Sequence, residues 1–297
     1  MCCLRIAAGW KDYELLDASS GNRLERWGDI ILVRPDPQVV WNSPQQHPAW
    51  KSCHAQYIRS SSGGGAWERR RPVPDSWTIQ YRLDGGCNLS FALKPMGFKH
   101  TGLFPEQAVN WNMLSALISL NTASRPVSVL NLFGYTGAAT LACAAAGASV
   151  THVDAAKGMV AWGRDNAALS KLEDKPVRWL IDDCVKFVQR EQRRGSKYDI
   201  IIMDPPSYGR GPRGETWKIE EQIYPLIQEC ANVLSDSPLC FLVNSYTTGL
   251  SPSTMGYMLD LIVSARFGGS VHADEIGLPV SGTERVLPCG SSAVWTK

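Results

Sequence analysis

The chain has 297 residues, 44% of them hydrophobic and 20% charged, with a formal net charge of +2 at pH 7. That length and apolar content can bury a substantial core, as one large domain with an appendage or as two domains. The near-neutral charge excludes wholesale electrostatic coating of nucleic acid, so partners have to be argued from local features.

The nine cysteines are scattered, with only Cys2 and Cys3 adjacent and no C-x-x-C pair, so they read as reduced thiols and offer no metal site. No positively charged start leads into a long apolar core, and no run approaches the roughly 18–20 apolar residues of a bilayer span. A cytoplasmic protein with no membrane partner and no metal is the expectation.

Residues 1–97 are rich in Pro and Gly, hold six of the eleven tryptophans, and contain short strand patterns at 29–35 ("DIILVRP") and 76–83 ("SWTIQYRL"). They predict a small, mainly β N-terminal domain, with a possible role in substrate recognition. Its tryptophans read as core before they read as base platforms. The stretch 59–74, "RSSSGGGAWERRRPVP", reads as a flexible loop, and Arg69, Arg70 and Arg71 as solvated surface before nucleic-acid contacts.

From residue 98 to 297 the pattern changes to short β-branched runs alternating with helix-like segments, which predicts an α/β domain with a parallel sheet covered by helices. Strands are expected at 127–133, 149–155, 177–183, 198–204 and 239–245, and a closing hairpin near 271–276 and 291–296. Ile200, Ile201, Ile202 and Met203 form the near-continuous apolar run of a strand buried on both faces. A helix over 106–120 places Val109, Met113 and Leu117 on one stripe, with Leu114 and Ile118 beside it.

Four strand ends carry chemistry. In "LNLFGYTGAATLACAAAG" (130–147) a strand containing Asn131 turns through Phe133, Gly134, Thr136 and Gly137 into an Ala-rich helix. Glycines let backbone approach a ligand, and the helix N-terminus offers unpaired N–H groups. The spacing is not G-x-G-x-x-G, and a tight βα turn in any α/β protein looks similar. Asp154, with Ala155 after it, ends the next strand seventeen residues beyond Gly137, where a carboxylate can accept both hydroxyls of a ribose. The third strand ends in Asp182 and Asp183, followed by Cys184; an acid here can accept from an adenine amino group or cap the helix that starts at "CVKFV".

The fourth strand ends in "DPPSYGRGPRG", 204–214. Asp204 and the Pro205 carbonyl can accept N–H groups of a planar nitrogen, turning its lone pair toward a sulfonium methyl, while Tyr208 stacks on the ring and the prolines keep the acceptors fixed. Hydride transfer needs no such motif. The glycines and arginines of 207–218 suggest a lid over the substrate mouth.

With "FKHTGLFPEQ" (98–107), "LNLFGYTGAAT", "HVDAA", "DDCVKF" and "YDIIIMDPPSYGRG" in this order, the chain resembles class I S-adenosylmethionine-dependent methyltransferases. Within them it is similar to the bacterial 23S rRNA methyltransferase family that contains 5-methylcytosine and 7-methylguanine enzymes. The resemblance covers roughly 98–297 and shows no PUA module before it. It implies a Rossmann-like seven-stranded sheet with the last strand antiparallel, S-adenosylmethionine as cofactor, and a cofactor pocket that includes Phe104 and Gln107. The cofactor-binding candidates are then Phe104, Gln107, Asn131, Phe133, Gly134, Thr136, Gly137, Asp154, Ala155, Asp183, Cys184 and Asp204; the catalytic candidates are Asp204, Pro205 and Tyr208.

Family members that make 5-methylcytosine carry a nucleophilic cysteine just after the fifth strand, where "FLVNSYTTG" (241–249) has Tyr246, and Cys240 lies earlier, inside the strand. A carbon target needs a thiolate adduct, whereas a nitrogen needs positioning and charge removal, so nitrogen methylation is favoured. For substrate, Tyr208 can stack a base while Arg210 and Arg213 hold phosphates; "RRGSK" (193–197) reads first as solvated surface. An RNA base methyltransferase, with rRNA favoured as partner, leads over a methyltransferase for a protein amide or small molecule, and both over a non-catalytic binding module.

Overall fold

The computed structural model describes residues 4–60, 64–210, 216–247 and 249–297. The first part is built from strands β1 (Leu4–Ile6), β2 (Tyr13–Ser19), β3 (Asn22–Trp27) and β4 (Ile30–Pro35), a single helical turn α1 (Ala49–Ser52), and strands β5 (Ala55–Arg59), β6 (Gly65–Arg69), β7 (Trp77–Arg82) and β8 (Asn88–Leu93). A 3-10 turn at Pro105–Gln107 leads into α2 (Ala108–Thr122). There follow β9 (Ser128–Leu132), α3 (Ala138–Ala145), β10 (Ser149–Asp154), α4 (Lys157–Leu169), β11 (Val177–Ile181), α5 (Cys184–Arg194) and β12 (Ile200–Met203). The rest comprises β13 (Tyr208–Arg210), β14 (Thr216–Lys218), α6 (Ile219–Ala231), β15 (Cys240–Ser245), α7 (Pro252–Leu259), β16 (Ser270–Pro279) and β17 (Val286–Thr296).

The main sheet runs β1-β16-β17-β15-β12-β9-β10-β11. Seven of its strands are the ones expected from 98–297, and β17 is antiparallel to both β15 and β16. The eighth is an addition: β1 pairs parallel with β16, so the chain's first described residues extend the sheet formed by its last. The apolar run of β12 divides its side chains by strand alternation. Ile200 and Ile202 join the cluster with Leu114 and Ile118 of α2, while Ile201 and Met203 join the opposite cluster with Phe187 of α5 and Ile223 and Leu226 of α6. On α2 the fully buried line is Trp111, Leu114 and Ile118; the expected stripe of Val109, Met113 and Leu117 is only partly buried beside it.

The remaining N-terminal strands form a sheet in the order β2-β3-β4-β5-β6 and a β7–β8 hairpin. The segment expected to be loop at 59–74 instead supplies β6, because its backbone completes an antiparallel pair with β5 and Trp67 stacks edge-on against Tyr57, ring centroids 5.5 Å apart. The hairpin docks on α4: Ala92 N donates to Asn166 Oδ1 (2.9 Å), and Trp162 Nε1 donates to the Ala92 carbonyl (3.0 Å). A buried core of residues from β2, β7, β8, α2 and α3 joins this part to the main sheet's helices. Among the described residues no helix is long and apolar enough to cross a membrane.

Candidate active site

Because β9, β10, β11, β12 and β15 are parallel, their carboxyl ends share one rim, which is where open α/β sheets take ligands. Asp154 ends β10, Asp182 and Asp183 follow β11, and Asp204 follows β12. The other acid of "YDIIIMD", Asp199, lies at the opposite end. Burial alone would raise it, but hydrogen bonds from the Ser128 amide, Ser235 and Arg125 outweigh burial and hold it below the usual carboxylate range. Asp199 therefore fastens the sheet's amino end.

The β9–α3 turn is held in an unusual conformation. Phe133 (φ 56°) and Tyr135 (φ 50°) are left-handed without being glycine, a strain of order 1–3 kcal/mol each. Both are tied down: Phe133 N donates to Cys184 Sγ (3.3 Å), and Tyr135 N donates to Asp154 Oδ2 (2.9 Å). Gly134 has a packing reason that the sequence did not disclose, since a Cβ there would lie 2.4 Å from the His152 ring. That imidazole is neutral, pushed down to about 3 by burial, with Nδ1 at 2.9 Å from Thr140 Oγ1. Gly137 is needed for its own φ of 85°.

Each cofactor candidate now has a place. Asp154 Oδ1 accepts from Ala156 N (2.8 Å) while Oδ2 takes Tyr135 N, and of roughly four lone-pair positions on a carboxylate two remain for a ligand's paired hydroxyls. Burial raises its pKa above the usual value despite those two amides. Ala155 is exposed beside it. Asp183 is exposed and caps α5, accepting from Lys186 N (2.9 Å), so the helix-cap role is filled by Asp183 while Asp182 pairs with Arg190. Cys184 turns its buried thiol under Phe133; what it can offer a ligand is its backbone amide in the first turn of α5. Thr136 is a staple, its hydroxyl donating to the Gly102 carbonyl (2.6 Å).

A cavity on this rim is lined by Phe104, Gln107, Asn131, Phe133, Gly134, Thr136, Gly137, Asp204 and other residues. Among the others are Asn110, Tyr135 and Asn244, which sequence reasoning passed over. Asn110 lies three residues after Gln107 on the same helix face, and Asn244 interrupts an apolar strand at its end, so both had a signal. Asn110 Nδ2 donates to Gln107 Oε1 (2.8 Å), Asn244 Oδ1 (3.1 Å) and Ser292 Oγ (2.8 Å), while its buried Oδ1 has no partner among the described residues. The orphan acceptor and the two open positions on Asp154 fit a polar adenosine-type ligand lying along the rim.

Asp204 differs from the other acids. Its carboxylate, partly open to solvent, meets no hydrogen-bond donor among the described residues; burial first, and then the nearby buried Glu106, push it up to about 7. Pro205 is buried, and Pro206 O accepts from Trp217 Nε1 (2.6 Å), which fixes the strand end. Tyr208 is 53% exposed and begins the β13–β14 hairpin, so the expected lid is a paired ribbon over its described length. Arg210 ends β13, and Arg213 falls outside the described residues. In the other basic runs Arg70 pairs with Glu68 and Gln56, Arg194 with Glu191, and Lys197 with the Asn232 carbonyl.

Cys240 sits at the amino end of β15, fully buried and pushed up to about 12 by burial. At about 3.3 Å per residue it is more than 10 Å from the rim.

The strand order, the antiparallel β17 and the acid-lined rim define a Rossmann-like enzyme that moves a group between an adenosine-type cofactor and a second substrate. A family model described as S-adenosylmethionine-dependent methyltransferase matches residues 75–226, and the chain belongs to that family. S-adenosylmethionine is accordingly the cofactor. Over 99% of its length the chain is similar to a crystal structure of a SAM-dependent methyltransferase from Agrobacterium tumefaciens, with 36% identity, a TM-score of 0.89 and 93% of that chain covered. A putative methyltransferase solved in complex with SAH shares the fold at 19% identity and a TM-score of 0.71, over 97% of this chain and 76% of that one. The ribosomal RNA large subunit methyltransferase K/L of Shewanella baltica is 32% identical over 147 residues, 49% of this chain. The match spans only 20% of that relative's length.

Proposed function

We propose that the protein methylates a nitrogen of a base in rRNA or another structured RNA. The observation that carries this reading is Asp204, raised to about 7 at the end of β12 with no hydrogen-bond donor and no reactive thiol beside it among the described residues. When bound, S-adenosylmethionine supplies an electrophilic methyl group on sulfur. Asp204 Oδ accepts an N–H of the base, aims the nitrogen lone pair into the cavity, and takes up the proton that the nitrogen sheds. A group titrating near the working pH is suited to that exchange. Phe104, Tyr135 and Tyr246 form an aromatic wall beside the site, with the Tyr135 and Tyr246 ring centroids 5.6 Å and 5.4 Å from that of Phe104.

Carbon methylation is disfavoured by the cysteines. Besides Cys240, the thiols of Cys184 and Cys289 are both buried and both pushed above the usual thiol range by burial. Support for RNA comes from exposed Tyr208, from Arg210 at the end of β13 with Arg213 three residues on in sequence, and from the rRNA methyltransferase relatives. Mass spectrometry of RNA nucleosides from cells with and without the gene tests the reading: one N-methylated nucleoside should disappear, and an unchanged RNA profile would refute it.

A further inference from the structure

Tyr246 stands one residue beyond β15, on the strand that pairs Val243 with Met203 of β12, so it borders the end of the strand that carries Asp204. Its ring is fixed by Phe104 on one side and by Gly290 on the other, where a Cβ would come within 2.9 Å of it. Its Oη accepts a hydrogen bond from Gln107 Nε2 (2.9 Å). Gln107 presents that nitrogen because its Oε1 is already engaged by Asn110 Nδ2 (2.8 Å). The phenolic proton itself has no acceptor among the described residues. Burial keeps the phenol protonated, far above its ordinary value. A held hydroxyl whose proton is unspent, one hydrogen bond from a residue lining the cavity, is a donor awaiting an acceptor on the substrate.

We propose that Tyr246 selects the target base by donating its phenolic proton to a carbonyl oxygen of the ring that presents its N–H to Asp204. The inference rests on the nitrogen-methylation reading above and adds the base to it. In this pairing the base meets two acceptors, the Asp204 carboxylate and the Pro205 carbonyl, and the donor Tyr246. The complementary base edge carries two N–H donors and one carbonyl, as the guanine edge does with its amino group, ring N–H and O6. Adenine has no ring carbonyl, and cytosine has one amino group beside two acceptors. Either leaves a group of the site unpaired, and unpaired buried polar groups are what make an enzyme discriminate strongly. Gln107 acts as a positioning residue, since it holds the phenol's lone pair and so turns its proton toward the substrate.

The test uses the full-length protein, an unmodified rRNA transcript, and the same transcript with 6-thioguanosine, which keeps the amino group and the ring N–H but puts a weakly accepting sulfur in place of the carbonyl oxygen, at the mapped target guanosine. Label from methyl-labelled cofactor should enter guanosine, and replacing the carbonyl oxygen by sulfur should lower wild-type kcat/KM about 10–100-fold. Tyr246→Phe should lower kcat/KM on the normal transcript by a similar factor and lose nothing further on the analogue. Gln107→Glu, which offers only acceptors and so captures the phenolic proton, should behave like Tyr246→Phe, with cofactor Kd measured alongside to separate loss of cofactor from loss of base selection. N-methyl label on adenosine or cytidine, or a sulfur replacement that costs Tyr246→Phe as much as wild type, overturns the inference and leaves nitrogen methylation standing. A C5-methylpyrimidine, or label confined to protein, overturns both.

Discussion

Replacing Asp204 by Asn should make the protein more stable and far less active. The substitution keeps the shape and removes a charge that the fold holds at a cost. A carboxyl displaced from 3.8 to about 7 is worth at most about 4 kcal/mol, at about 1.4 kcal/mol per pH unit. Its partial exposure lets solvent screen the charge and brings the expected gain to about 1–2 kcal/mol. The sign follows from the raised value: the proton binds more tightly in the folded state, so this group's contribution to stability is complete below about pH 4 and is lost as pH rises through about 7. Asp204→Asn should therefore melt about 2–6 °C above wild type at pH 8 without cofactor, and the gap should close toward pH 4. In the same preparation kcat should fall about 100–1,000-fold with little change in cofactor Kd, and the wild-type rise of kcat/KM through about pH 7 should be absent from the variant. Scanning calorimetry at two pH values and a pH–rate series suffice. A variant that is less stable at pH 8, or one that keeps both its activity and the limb near pH 7, would contradict the role assigned to Asp204.

Asp154→Ala should weaken S-adenosylmethionine binding at least tenfold by calorimetry and lower stability by about 1–3 kcal/mol, because two backbone amides lose their acceptor. Gly134→Ala should cost about 3 kcal/mol in chemical denaturation, since its Cβ would meet the His152 ring; combined with His152→Ala the two losses should fall short of additivity by at least about 1 kcal/mol. Cys240→Ala should retain turnover within about threefold, and a 5-fluorocytosine RNA should form no cross-linked complex with the wild type, both read by kinetics and denaturing gels.

The five parallel strands were legible to within a few residues because a strand buried on both faces is written as one apolar run, as in 200–203. The acids at their ends were legible because polarity after such a run marks the rim. β1 was not, since three residues carry no period and its partner lies more than 260 residues away. β6 was hidden by the Ser and Gly before it, although its backbone pairing with β5 needs no particular side chains. Within the site, candidates on one turn were found together, but their tasks were not. Cys184 and Asp154 hold two strained residues in place, and Gly134 makes room for an imidazole eighteen residues away in sequence. The bond between Gln107 and Tyr246 spans 139 residues, so from sequence Tyr246 was only a missing cysteine.

Transfer to a base nitrogen in RNA is what we propose for this methyltransferase. The most direct test offers the purified protein methyl-labelled S-adenosylmethionine with unmodified RNA and a protein extract in the same reaction, then digests each fraction and locates the labelled methyl by fragmentation mass spectrometry. The expected result is label in the RNA fraction on a base nitrogen, lost in Asp204→Asn. Label on a pyrimidine carbon, or label confined to the protein fraction, would contradict it.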